Sequence, residues 1–238
     1  MTAMRLKRYP SPSGGIALGK MGVGATILRS ILPAGARWVA FLESTGTQWI
    51  DTGWVPTKSA RLEIVASMTS TRSVAQFGCI QNGGKPYCNF SANGEDSSRR
   101  ITSFVYYFGN FSDRSYIDYR STVYLNQFFT AIYDGASGLC GLIQQGTQER
   151  YASPCNSVPT VPFYLMARNN SGRAELFCKM RISAFSVESG GNTILSLRPI
   201  AIGTTGYLLD LVSGEYLPYG NKGTGDFVIG PDINAPAI

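Results

Sequence analysis

The sequence predicts an all-β protein, built as a sandwich or jelly roll. Aromatic residues make up 12% of it and charged residues only 15%, with 27 glycines and 12 prolines. Many aromatics, few charges and frequent turn formers are typical of a β-rich globular chain. From residue 38 onward, short runs of alternating apolar and polar residues are separated by turn residues, with no helix-length apolar period. Many short strands at regular turn spacing indicate two packed sheets.

The first compositional block, residues 1–36, is predicted to be a basic arm that orders only against a partner. It is rich in glycine and proline and has no acidic residue. Such a segment buries too little apolar surface to fold alone. Its charge could meet nucleic acid, anionic lipid or an acidic protein surface, and a solvated tail is the plain alternative. Its cationic side chains are Arg5, Lys7, Arg8, Lys20 and Arg29.

The folded part is assigned to residues 37–238, and beyond Arg37 basic and acidic residues are equal in number. An electrically neutral body argues against a nucleic-acid-binding face on the domain. Residues 16–32 have the apolar character of a signal peptide, but Lys20 and Arg29 interrupt them. A membrane-spanning helix needs about 20 uninterrupted apolar residues. We therefore expect the arm to be retained, and we expect no membrane span.

The first strands are predicted at 38–43 and 47–51, joined by a turn at Ser44-Thr45-Gly46. Residues 61–68 alternate strictly, which is typical of a strand with one buried face. The residues on its apolar side are Leu62, Ile64, Ala66 and Met68.

A longer aromatic strand is predicted at 121–133, followed by a turn at Asp134-Gly135. Residues 176–187 also alternate, but Phe177, Phe185 and Val187 blur the phase. A strand that is buried on both faces gives such a pattern. Turns at Asn170-Ser171-Gly172 and Gly190-Gly191-Asn192 are predicted on either side of it.

Several kinds of chemistry are missing from the sequence. With no histidine, it lacks Ser-His-Asp and Cys-His catalysis and the commonest metal ligand. Glu95-Asp96 is the one adjacent acidic pair and is interpreted as part of a solvated loop, so glycoside hydrolysis also lacks support. Loop Asp and Asn residues could ligate calcium, but no spacing supports such a site. We expect a protein without catalytic residues, metal or cofactor.

The cysteines are odd in number and scattered, and no C-x-x-C pair is present. This spacing disfavours a zinc ribbon or a thioredoxin-like site. A large core does not need disulfides, and a buried free cysteine packs as a small apolar residue. Reduced core thiols favour assembly in a cytoplasm. The five are Cys79, Cys88, Cys140, Cys155 and Cys178.

Two stretches near the start of the chain resemble a known family. Residues 32–35 read L-P-A-G and residues 40–53 read A-F-L-E-S-T-G-T-Q-W-I-D-T-G. They resemble the opening strands of concanavalin A-like lectin/glucanase (laminin-G-like) domains of bacteriophage and gut-bacterial prophage proteins. Ala36 and Trp49 depart mildly from the family pattern. Later segments are also similar to it, at residues 163–169, 179–185, 197–200, 206–210, 223–227 and 230–231.

The resemblance implies a concanavalin A-like jelly-roll sandwich over residues 37–238, following the extended basic arm. It also implies a non-enzymatic virion protein, as a capsid decoration, head fibre or tail-associated protein. Such a protein would be assembled in the host cytoplasm and displayed on the virion surface as a homo-oligomer. The arm would anchor it to other capsid or tail proteins, because capsid surfaces are usually acidic.

Carbohydrate recognition is the second hypothesis, either as host-surface adhesion by the virion protein or as a free or cell-surface bacterial lectin. Sugar sites combine exposed aromatic rings with amides and carboxylates that read hydroxyl groups. Half-buried strand packing is the ordinary alternative for the tyrosines. The predicted binding residues are Trp54, Tyr87, Asn89, Asn93 and Tyr107, and Tyr106, Tyr116 and Tyr119 are further tyrosines of the same regions.

Overall fold

A computed structural model describes residues 32–70, 75–81, 86–95, 100–109, 119–144, 147–152 and 157–236. These residues form two packed β-sheets, of ten and eight strands, around one large core. The prediction of an all-β sandwich is confirmed, and the curled sheets are compatible with a jelly roll.

The strands range in length from two to eleven residues. In chain order they are β1 (Ala36–Trp38), β2 (Leu42–Thr45), β3 (Ile50–Asp51), β4 (Arg61–Ser70), β5 (Ala75–Ile80), β6 (Tyr87–Glu95), β7 (Arg100–Gly109), β8 (Tyr119–Tyr124), β9 (Phe129–Asp134), β10 (Leu139–Gln144), β11 (Thr147–Ala152), β12 (Tyr164–Leu165), β13 (Arg168–Asn170), β14 (Arg173–Glu175), β15 (Lys179–Ser189), β16 (Asn192–Ile202), β17 (Thr205–Asp210) and β18 (Val228–Ile229). Among the described residues, one 3₁₀ turn, at Leu217–Tyr219, precedes β18.

The ten-stranded sheet runs β1-β16-β15-β4-β9-β10-β11, with β17 paired to β16, β2 to β15 and β18 to β2. The eight-stranded sheet runs β14-β13-β5-β6-β7-β8, with β12 paired to β5 and β3 to β12. Pairing is antiparallel except between β13 and β5, which run parallel. Each sheet therefore has an inner face on the core and an outer face directed away from it.

Strict alternation in β4 places its apolar side on the core, as predicted. Leu62, Ile64, Ala66 and Met68 are fully buried. The eight-stranded sheet contributes mainly aromatic rings, such as Phe77 stacked on Phe90 with centroids 4.9 Å apart. Each side chain of this size stabilises the fold by about 1.5–3 kcal/mol when fully buried.

The turn after β2 is a corner between the sheets, which the sequence did not predict. β2 pairs with β15 in one sheet, and β3 pairs with β12 in the other. Ser44 and Thr45 belong to β2, so the corner begins at Gly46. Buried Gln48 shapes it, because its Oε1 accepts from the Thr45 backbone N–H at 2.8 Å.

The same corner interlocks with the end of the chain. Thr47 Oγ1 and Gln48 Nε2 both donate to the Thr224 carbonyl, at 2.9 and 3.1 Å. A Cβ atom on Gly223 would lie 1.9 Å from the Thr47 carbonyl oxygen, so only glycine fits there. The two terminal motifs of the sequence thus form one structural unit.

Residues 121–133 are two strands in different sheets, and the prediction of one long strand is wrong. β8 ends at Tyr124 in the eight-stranded sheet, and β9 begins at Phe129 in the ten-stranded sheet. Asn126 between them has φ = 61°. This left-handed conformation breaks an extended chain, and Asn tolerates it better than most residues. The predicted turn at Asp134 is confirmed, since its carboxylate accepts from the Ala136 N–H at 3.1 Å.

β15 contains a β-bulge, and the prediction that it is buried on both faces is wrong. Ile182 is opposite Ala66 on β4, yet Ala184 is opposite Val65, which leaves Ser183 as the extra residue. A bulge moves the alternation by one position. Met180 and Ile182 before it, and Phe185 and Val187 after it, are therefore all directed to the core. The Gly190-Gly191 turn that follows is confirmed, with positive φ at both glycines.

The described cysteines are buried and free, as predicted for core thiols. Cys79, Cys88, Cys140 and Cys178 form no disulfide. Burial raises the pKa of the Cys88 thiol and of the Cys178 thiol well above the usual range. Cys155 lies outside the described residues.

A second, smaller apolar cluster covers the outer face of the ten-stranded sheet. It consists of Trp38, Ile200 and Leu209, and Leu32 and Ala235 pack against it. The two described ends of the chain therefore meet on this one face. Arg37 and Asp232 join them through an ion pair at 2.8 Å.

The predicted anchoring residues Arg5, Lys7, Arg8, Lys20 and Arg29 all lie outside the described residues. Within the described part of the chain, no helix is long and apolar enough to cross a membrane.

Candidate functional site

Three of the predicted binding residues lie together on the outer face of the eight-stranded sheet. Asn89 on β6 is directly opposite Tyr107 on β7. Tyr87 is two residues before Asn89, and its ring lies 5.9 Å from the Tyr107 ring at an angle of 37°. Strand alternation explains this grouping, since the intervening Cys88 and Phe90 are buried in the core. We call this surface the amide–tyrosine face.

Polar side chains from the neighbouring strand order this face. Asn89 Nδ2 donates to Gln76 Oε1 on β5 at 3.2 Å. Gln76 Nε2 in turn donates to Ser91 Oγ at 3.2 Å. Asn89 and Ser91 are fully buried although they lie on the outer side of the sheet. Buried polar groups that bond one another in this way are held in fixed positions.

An ion pair extends the network at the edge of the sheet. β13 and β14 bring Arg168 opposite Glu175. Arg168 Nε donates to Glu175 Oε1 at 3.0 Å, Nη2 donates to the same oxygen, and Nη1 donates to Gln76 Oε1. The side chains are 17% and 28% exposed. Because the two charges cancel, the face carries no net charge from this pair.

One acceptor on this face has no partner in the protein. Asn89 Oδ1 is buried and accepts no hydrogen bond. A buried acceptor left without a donor costs about 1–3 kcal/mol. Because Asn89 is fully buried, a ligand hydroxyl beside the two tyrosine rings could donate to this oxygen only after a neighbouring side chain moved aside. The amide–tyrosine face is thus suited to a neutral, hydroxyl-bearing ligand that also stacks on aromatic rings.

Trp54 is not part of this face. It lies in the loop after β3, half-buried, with its ring 6.0 Å from Phe163 and 6.4 Å from Phe185. Its indole packs against the core, so we leave it out of the candidate surface.

The remaining predicted residues are Asn93, Tyr106, Tyr116 and Tyr119. Tyr106 is fully buried, and its hydroxyl donates to the Gly141 carbonyl of the other sheet at 2.9 Å. For Tyr106 the packing interpretation is therefore correct. Asn93 is opposite Ser103 on β7, but its side chain and that of Tyr119 are outside the description. Tyr116 lies outside the described residues.

Four residues of the network were not predicted from the sequence. Gln76 and Ser91 alternate with the buried Phe77 and Phe90, so the period of two marked them as outward polar positions. Arg168 and Glu175 gave no such signal, because they reach the face only through pairing of β13 with β5, about ninety residues away in the chain.

The described charged groups of this face are paired with each other. Its described carboxylate, Glu175, is held by Arg168. Among the residues that the structure describes, no three His, Cys, Asp or Glu side chains lie close enough to hold a metal ion.

Fold and face together define the class of protein, a two-sheet β-sandwich with a polar, tyrosine-bearing outer surface. Comparison with protein-family models, with curated proteins and with solved structures gives no match. The likeness to concanavalin A-like domains therefore rests on the sequence motifs and on the sandwich architecture.

Proposed function

We propose that this chain is a non-enzymatic bacteriophage virion protein that displays a concanavalin A-like, lectin-type domain for adhesion to host-surface glycans. The observation that carries the proposal is the sidedness of the sandwich. Both described ends of the chain lie on the outer face of the ten-stranded sheet. The amide–tyrosine face is on the opposite side of the molecule. A protein attached through its first residues would thus present that face outward.

Glycan binding is supported by the residues of the amide–tyrosine face. Tyr87 and Tyr107 offer half-buried rings for stacking on a pyranose, and Asn89 Oδ1 would accept from a sugar hydroxyl if a neighbouring side chain moved aside. The Arg168–Glu175 pair leaves no uncompensated charge for an acidic sugar. We expect neutral hexoses to be preferred to sialylated glycans.

Attachment is assigned to the basic residues 1–36, acting on an acidic capsid or tail protein. Complementary charge speeds encounter and fixes orientation more than it adds affinity. The protein would then be a homo-oligomer on the virion surface, as a decoration protein, head fibre or tail component.

A free or cell-surface bacterial lectin is the second candidate, favoured by the same amide–tyrosine face. It differs in having no use for the basic arm. Size-exclusion chromatography with light scattering, on the full chain and on a variant that starts at Arg37, separates the two. If full-length protein assembles or binds virions and the shortened protein is a monomer, the virion proposal holds. If both are the same free monomer and purified virions lack the protein by mass spectrometry, it fails.

Glycan binding has its own test, an array of neutral and sialylated glycans probed with the full-length protein. Tyr107→Ala should abolish binding, because it removes one of the two rings. Tyr207→Ala is the matched control, since it removes a half-buried tyrosine from the other sheet. Tyr107→Phe keeps the ring and should keep most of the affinity. No hit for wild-type protein, or equal losses in both alanine variants, would contradict the assignment.

A further inference from the structure

A cavity of about 110 Å³ lies on the outer face of the ten-stranded sheet, away from the amide–tyrosine face. Val65 on β4, Ala184 on β15 and Arg198 on β16 form its floor. Ile233 and Pro236, in the segment that follows β18, cover it. By the same measure, one water molecule occupies roughly 10–15 Å³. The cavity thus has room for a ligand of several non-hydrogen atoms.

The β-bulge of β15 helps to form the cavity. Ser183, the extra residue, lines it next to Ala184. In a regular strand these two neighbours would point to opposite faces, and only one would reach this side. Bulges often redirect side chains at sites where something is bound.

The cover of the cavity is fastened to the sheet at several points. The Ile233 N–H donates to the Trp38 carbonyl at 3.1 Å, and the Ala40 N–H donates to the Pro231 carbonyl at 2.9 Å. Asp232 bridges to Val39 and pairs with Arg37. The cavity therefore lies between the ten-stranded sheet and a segment that is hydrogen-bonded to it.

Two side chains that line the cavity, Trp38 and Arg198, carry hydrogen-bond donors. Trp38 is 4% exposed, and its Nε1–H is buried without a hydrogen-bond partner. The Arg198 guanidinium donates from Nη1 to its neighbour's carbonyl, that of Leu197, at 3.0 Å. Among the described residues it forms no ion pair, because Glu63 is bonded to Arg61.

Arg198 is also poorly solvated. Burial lowers the pKa of its guanidinium, and the charge of Glu63 offsets part of that shift. A cation in this position gains from a second anion, because charge-assisted hydrogen bonds to arginine are stronger than neutral ones.

We propose that this cavity binds a small monocarboxylate with a short apolar group. Arg198 and Trp38 donate to the carboxylate oxygens, and Val65, Ile233 and Pro236 contact the apolar group. The site is independent of the glycan-binding proposal, since it lies on the other sheet and shares no residue with the amide–tyrosine face.

Sodium butyrate is the probe for this site, with 1-butanol and butyramide as neutral analogues of similar size. The readout is the indole Nε1–H signals of the three tryptophans in full-length protein by NMR. Trp38→Phe assigns the Trp38 signal. Butyrate should shift the Trp38 signal saturably and leave the other two signals in place. The neutral analogues should not shift the Trp38 signal. No saturable shift, or equal shifts with all three compounds, would overturn the proposal.

Arg198→Met keeps the aliphatic stem and removes the donors, so butyrate should bind about tenfold more weakly or not at all. Arg61→Met is the matched control, because it removes an exposed arginine of the same sheet and should leave binding unchanged. Arg198→Lys keeps the positive charge. Its affinity for butyrate is measured instead if Arg198→Met does not fold. Unchanged affinity in both Arg198 variants would rule out the assigned role.

Discussion

At the scale of single residues, the amide–tyrosine face depends on one arginine. Arg168 bonds both Glu175 and Gln76, and Gln76 in turn positions Asn89 and Ser91. Asn89 therefore owes its orientation to a charge on another strand. A change at Arg168 should disturb ligand binding without touching the tyrosines.

Arg168→Met should destabilise the fold by about 1–3 kcal/mol, because it leaves the half-buried Glu175 carboxylate without its partner. Urea unfolding measures this loss. Adding Glu175→Leu to the same chain should recover most of it, since no uncompensated charge remains. A double variant as unstable as the single one would contradict this account.

The buried thiol of Cys178 should make the free energy of unfolding depend on pH. Burial raises the pKa of its thiol above that of the unfolded chain, about 8.5. The contribution is therefore complete below pH 8.5 and is lost as the pH rises toward the folded pKa. Urea unfolding at pH 7.5 and pH 10 should show a larger decrease for wild type than for Cys178→Ala, by at most about 2 kcal/mol. Parallel decreases would assign the effect to other groups.

At the scale of elements, the bulge in β15 means that one deletion would keep the pattern of buried residues. Without Ser183 the strand would read Met180, Arg181, Ile182, Ala184, Phe185, and every second residue would still point to the core. We expect the Ser183 deletion to fold with a loss of about 1–2 kcal/mol in urea unfolding, and to shrink the cavity.

The control for that deletion is three residues further along the same strand. Removing Ser186 would leave Phe185 and Val187 adjacent and direct one of them to solvent. This variant should fail to fold, as judged by near-ultraviolet circular dichroism. If both deletions behaved alike, the alternation argument would be wrong.

How much of the fold could be predicted depended on whether the signal was local. The strict alternation of residues 61–68 gave β4 with the correct face, because burial acts residue by residue along one strand. The break at Asn126 and the extra residue Ser183 were missed, because each is set by pairing with strands distant in the sequence. Tyr87, Asn89 and Tyr107 could be named as candidates from residue type alone, whereas Arg168 joins them only through the pairing of β13 with β5.

At the scale of the whole molecule, the two sheets have different outer faces. The ten-stranded sheet receives both described ends of the chain and holds the cavity lined by Arg198 on its outer face. The eight-stranded sheet holds the polar network around Asn89. The proposed attachment, small-ligand binding and glycan recognition would thus be separated in space, and substitutions could alter them one at a time.

A substitution at Gly223 tests whether the contact between the end of the chain and the first corner holds the sandwich closed. Gly223→Ala forces the added methyl group into the Thr47 carbonyl, and the backbones must separate. We expect a loss of about 3 kcal/mol in urea unfolding. Gly190→Ala is the control, since its methyl group meets open space and the left-handed backbone costs about 1 kcal/mol. A smaller loss for Gly223→Ala than for Gly190→Ala would refute the interlock.

Because of that interlock, the first corner of the sandwich can be completed only after the end of the chain has been synthesised. Thr47 and Thr224 are 177 residues apart, and β18 supplies the last partner of β2. At roughly 5–20 residues per second, a ribosome needs about 10–35 seconds to make the chain between them. During that interval the first corner of the sandwich is in the cell without its closing turn. A stalled or prematurely ended product would keep an open edge at β2 and be captured by chaperones or degraded, so only completed chains would be available for assembly.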